Sequence, residues 1–85
     1  MATEKHLESE ILRLLEQRGL GKTICPSEVA RAVADNDERE TWEPLMDPVR
    51  AAAEKLVAAG KVVVTQGGKV VDAAASKGPI RLRLK

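Results

Sequence analysis

The stretch KVVVTQGGKVV, residues 61 to 71, decides the fold. KVVVTQ is short and rich in β-branched residues, which suit a pleated strand, and the Gly67–Gly68 pair that follows is a hairpin-turn signal. KVV then returns beside the first run. A hairpin at this point makes an α+β protein of a chain that up to residue 60 reads mainly as helices. The final PIRLRLK, residues 79 to 85, supports the same reading, because it alternates without a fault. Ile80, Leu82 and Leu84 fall on one side and Arg81, Arg83 and Lys85 on the other, a strand with a dry face and a basic face.

Upstream, from Thr3 onward, Leu7, Ile11, Leu14 and Leu15 recur at helical spacing, with Glu8, Glu10, Arg13 and Gln17 on the opposite side. Gly19 is the expected stop of this first helix. Taken as C′, it sets Leu20 at C″ and Leu15 at C3, positions that usually touch. KTI, residues 22 to 24, reads as a brief strand. In KTICPSEVARAV, residues 22 to 33, Cys25 as N-cap puts Pro26 at N1, where its missing N–H costs nothing. Glu28 then reaches back from N3, and Ile24 and Val29 form a hydrophobic staple. The competing register, with Ser27 as cap, loses these features. The second helix is expected to run to about Ala34.

DNDERETWEPLMD, residues 35 to 47, holds six acids against the single base Arg39 and reads as a solvated loop. Within it, Thr41 is expected to cap a turn containing Trp42 to Met46, and Asp47 and Pro48 to form a second cap and N1 pair. The third helix then runs to about Ala59, with Gly60 as its stop. Leu45, Val49, Ala52, Leu56 and Ala59 share its inner face, and Arg50, Glu54, Lys55 and Ala58 lie outside. Trp42 and Met46 read as packing residues in an aromatic-poor core rather than as ligand contacts. Three helices followed by a small antiparallel β-hairpin wing is the layout of a winged helix-turn-helix, in a single domain over residues 1 to 85.

KTICPSEVARAV, TWEPLMDPVRAAAEKL, KVVVTQGGKVVD and GPIRLR, taken in order, resemble an uncharacterised bacterial winged-helix family, one catalogued as a domain of unknown function. The resemblance spans roughly Ile11 to Arg83. It implies the fold and carries over no catalytic or binding residues. It also leads one to expect a basic residue at the wing turn, where this chain has Gly67 and Gly68.

Composition narrows the function. With 85 residues, 44% hydrophobic and 32% charged, the chain is sized for one folded core. One Trp and no Phe or Tyr leave almost no aromatic platform for stacking single-stranded bases. A single cysteine and a single histidine provide neither an internal disulfide nor a zinc site, so no metal or cofactor is expected. The opening MATEKHLESE carries charges where a signal peptide needs an apolar run, so none is expected, and no run of about 18 apolar residues occurs. The expected location is cytoplasmic, away from membranes. Cys25 at a helix N-terminus is placed to lower its thiol pKa, yet Glu28 opposes a second negative charge and no histidine stands nearby as base. A capping role is therefore preferred to redox chemistry, and catalysis ranks last.

Charge is divided along the chain. Residues 1 to 60 hold 8 Lys and Arg against 12 Asp and Glu, a net of −4, whereas residues 61 to 85 hold 6 against 1, a net of +5. Affinity for DNA comes largely from neutralising phosphates, so the candidate contacts are Arg50, Lys55, Lys61, Lys69, Lys77, Arg81 and Arg83. The start of the third helix, with Glu43, Pro44, Asp47 and Pro48, is poorly suited to reading bases. The expected function is binding of double-stranded DNA through its backbone. The alternative is a protein-interaction module in which the opposed charge halves pair with a partner or a second copy.

Overall fold

The computed structural model describes residues 4–35, 38–72 and 78–85. The chain runs through α1 (Glu4–Arg18), β1 (Thr23–Ile24), α2 (Pro26–Ala34), a short α3 (Arg39–Trp42), a 3-10 turn (Glu43–Leu45) and α4 (Met46–Ala58). β2 (Val62–Gln66), β3 (Lys69–Val71) and β4 (Arg81–Leu84) follow. Three principal helices thus pack with a four-stranded antiparallel sheet of order β1-β4-β2-β3, an α+β fold.

The core is aliphatic. Leu7, Ile11 and Leu15 of α1 meet Val49, Ala52, Ala53 and Leu56 of α4, and the inward faces of β2 and β4 add Val62, Val64 and Leu82. The alanines matter because a methyl side chain lets α4 come close to α1, which it contacts more than any other helix. Ala59, expected on the inner face, is exposed, and Ala53, which the expected face did not include, belongs to the core. Ala53 lies one position beyond Ala52 and four beyond Val49, so it widens the apolar stripe by a full helical neighbour.

The α2 start follows the cysteine-capped register. Cys25 has extended backbone (φ −91°, ψ 142°) with Pro26 in the first turn, and its N–H donates to Glu28 Oε1 at 3.4 Å. Sulfur is a weak acceptor, and the Glu28 N–H is satisfied by the Cys25 carbonyl at 2.9 Å. Ile24 and Val29 are both fully buried, as a staple requires.

Helix ends show both agreement and correction. α4 closes in a Schellman motif: Gly60 at φ 75° donates to the Val57 carbonyl and Lys61 to that of Leu56, each at 3.0 Å. Gly19 (φ 104°) also ends its helix, donating to Leu15 O at 2.9 Å. However, Leu20 does not pack on Leu15. It is 81% exposed, because Lys22 N–H bonds back to Gly19 O and leaves Leu20 at the tip of a β-turn.

From Arg39 onward the acidic run is helical, not an open loop. Trp42, Leu45 and Met46 recur at helical spacing and pack half-buried against the core, which folds Arg39–Leu45 despite its charge. Arg39 pairs with Glu43 one turn on, and the Arg31 guanidinium lies 5.8 Å from the Trp42 ring centroid. The turn begins after Glu38, so Thr41 lies inside it and is no cap. Asp47 and Pro48 are likewise no cap and N1 pair, because α4 continues from the 3-10 turn with Leu45 already helical in backbone. Pro48 falls at N3, within the first turn, where N–H groups have no helical partner to lose.

In the β2–β3 hairpin Gln66 pairs with Lys69, leaving Gly67 (φ 58°) and Gly68 (φ 83°) as a two-residue loop at positive φ. This is the backbone of a type I′ turn, which side chains with a Cβ disfavour. β4 is an interior strand. It pairs with β1 through Thr23↔Arg83 and Ile24↔Leu82, and with β2 through Val63↔Arg83, Val64↔Leu82 and Thr65↔Arg81.

Candidate nucleic-acid interface

Alternation and register sort the basic residues. Leu82 is fully buried on the inward face, so Arg81 and Arg83 project from the outward one, where Thr23, Val63 and Thr65 are their cross-strand neighbours. Val70, 59% exposed and opposite Thr65, extends this face on β3. Arg81 is exposed and Arg83 half-buried. No ion pair among the described residues involves either arginine, whereas Arg13, Arg18, Arg39 and Lys55 are each paired with a carboxylate.

The other expected contacts do not share that face. Lys55 reaches across to α1 and binds Glu4 at 2.8 Å, a hydrogen bond and charge pair that raise its pKa above the ordinary lysine value. Lys61 borders a shallow pocket of about 230 Å³ beside Lys5, Glu8 and Leu12 of α1. Lys69 is exposed just past the uncharged hairpin turn. Lys77 lies outside the described residues.

Arg50 belongs to a different feature. Its guanidinium donates to the Gly78 carbonyl at 3.4 Å and forms part of a groove of about 620 Å³. The groove runs between the first turn of α2, the acidic turn and Pro79–Ile80, with Cys25, Trp42 and Met46 on its walls. The Cys25 sulfur accepts from the Ser27 hydroxyl at 3.1 Å, and no histidine borders the groove. Sequence reasoning did not find this groove, since its walls come from four separated segments with no common motif. Among the described residues no group of His, Cys, Asp and Glu could hold a metal ion.

A residue that sequence reasoning passed over also borders the basic face. Arg18, the last residue of α1, donates to the Thr23 carbonyl at 3.3 Å and to Glu28 at 2.7 Å. Arg81 donates to that same carbonyl at 3.3 Å and to Thr23 Oγ1 at 2.6 Å. Only the breadth of an arginine's reach hints at such convergence from sequence.

A small α+β domain with one sheet face covered by helices and the other bearing arginines is the class that fold and site define. No helix of the described residues is long and apolar enough to cross a membrane. The chain belongs to the family described as "Protein of unknown function (DUF3253)", whose model matches residues 4–85. No curated protein matches it.

Proposed function

We propose that this domain is a winged helix that binds double-stranded DNA through the phosphate backbone, using the outward face of β4. The observation that carries the reading is the pair Arg81 and Arg83, side by side on an interior strand and paired with no described carboxylate. An interior strand is held on both edges, so its side chains are aimed with little backbone freedom. Alternate residues of a strand stand about 6.6 Å apart, and phosphates spaced 3.4 Å along the axis of a duplex strand lie at a comparable interval once its winding is included. Lys69 beside the hairpin turn is placed to add a further contact.

α4 is a poor reader of bases. Its approach carries Glu43 and Asp47, both exposed, and Arg50 is the one guanidinium on its early turns. Binding is therefore independent of sequence to first order, because phosphate contacts position a protein without reading bases. Duplex affinity measured against salt tests this. Each lost phosphate contact removes about 0.9 from the slope of log K against log salt, so Arg81→Ala with Arg83→Ala should flatten it by about 1.8. Absence of duplex binding at about 50 mM salt defeats the reading.

A further inference from the structure

Two guanidinium groups converge on one oxygen in this fold. Arg18 Nη1 and Arg81 Nη2 both donate to the Thr23 carbonyl at 3.3 Å, so the two nitrogens necessarily lie within twice that distance of each other. Arg83 stands opposite Thr23 in the β1–β4 register and shares its face. Like charges brought together repel, and the one described carboxylate in this cluster is Glu28, bound to Arg18 at 2.7 Å. Three guanidiniums and one carboxylate leave a local excess of two positive charges on an exposed edge of the sheet.

From this convergence we infer that Arg18, Thr23 and Arg81, with Arg83 alongside, form a seat for a single phosphate group, contributed by the nucleic-acid backbone. The inference rests on the proposed DNA reading and adds Arg18, on the end of α1, to the contact surface. The donors suit the task. A guanidinium has five N–H groups, and Arg81 spends only its Nε–H and one Nη2–H on Thr23. Those two bonds fix the plane of the guanidinium before any anion arrives, which cuts the ordering cost of binding. Thr23 is thus a positioning residue, and the phosphate oxygens take the remaining N–H groups of Arg81 and those that Arg18 can turn from Glu28, while Arg83 meets the neighbouring phosphate. An arriving phosphate also relieves the repulsion between Arg18 and Arg81 and competes with Glu28 for Arg18.

The test is an NMR titration that follows backbone amides and arginine Nε–H signals, first with inorganic phosphate and then with a mixed-sequence duplex. Phosphate should move Arg18, Thr23 and Arg81 together. Glu28→Gln should tighten phosphate binding several-fold, because glutamine keeps the capping-box acceptor and removes the competing charge. Arg18→Gln and Arg81→Gln should each weaken duplex binding, and the two together should lower its salt slope by about 0.9, the share of one phosphate. If Arg18→Gln weakens the fold, Glu28→Gln still decides the matter, since unchanged phosphate affinity in that variant overturns the seat. Phosphate shifts centred on Arg50 or Lys69 with duplex binding intact also overturn it while sparing the DNA reading. Phosphate shifts at the seat without duplex binding keep the anion seat but overturn nucleic acid as the source of its phosphate, and with it the DNA reading.

Discussion

The first turn of α4 and the outward face of β4 are both rigidly backed, the one by Val49 and the other by Leu82, yet they carry opposite charge. At the α4 end, Glu43 and Asp47 sit where a helix attracts negative charge, and Glu43 is further tied to Arg39. Those acids stabilise their own helix, and the positive end of its dipole is no longer available to a phosphate. On β4, Arg81 and Arg83 neutralise no described carboxylate. The difference teaches that helical position alone does not make a contact surface. What counts is which charges remain after the fold has satisfied its own ends.

The strongest way to break this comparison is to remove what holds β4. Leu82→Ala empties a fully buried site in the interior strand and should cost about 2–5 kcal/mol in urea unfolding, with duplex binding lost alongside. Binding that survives such a loss would detach function from β4. Gly60→Ala forces a Cβ into the positive-φ stop of α4 and should cost about 1–2 kcal/mol by the same measurement, leaving the salt slope of the folded protein unchanged. Glu43→Gln combined with Asp47→Asn should destabilise by less than about 2 kcal/mol through the helix dipole, and shift duplex affinity by less than about threefold. A larger gain in affinity would show that α4 does face phosphates.

The smallest effect concerns an exposed pair away from both regions. The hydrogen bond from Arg13 holds the Glu10 carboxyl below its ordinary 4.5, against a lesser opposing effect of burial. A lowered folded-state pKa gives stability that is present above 4.5 and lost as pH falls through the folded value. Arg13→Ala should therefore shift the urea midpoint slightly at neutral pH and not at all in strong acid, the effect being small because the pair is solvent-screened.

What could be read from the sequence was local. The cap at Cys25, the stops at Gly19 and Gly60, the Gly67–Gly68 turn and the alternation of β4 each depend on residues within a few positions of one another. The acidic run misled because its charges outnumber Trp42, Leu45 and Met46, although those three at helical spacing are what fold it. Leu20 misled because its C″ position implies contact with Leu15, whereas Gly21 lets the chain turn at once and carries Leu20 outward. The site was less legible than the fold. Sequence placed Arg81 and Arg83 on one face, but counted Lys55 and Lys61 among the candidate contacts, when α1 in fact stands beside both. The meeting of Arg18 with Arg81 over Thr23 joins the end of α1 to β4, and no local pattern encodes a contact of that separation.

The interior position of β4 has a consequence for the order of assembly. β1 finds its only described partner in a strand that follows every other element in the sequence, so the β1–β4 ladder closes the longest loop of any strand pairing in the sheet and is the most expensive of those pairings in chain entropy. Helices α1, α2 and α4 and the β2–β3 hairpin can gather on shorter contacts beforehand. On a nascent chain the arginine-bearing surface therefore comes into being last, and until then Thr23 and Ile24 wait as an unzipped edge.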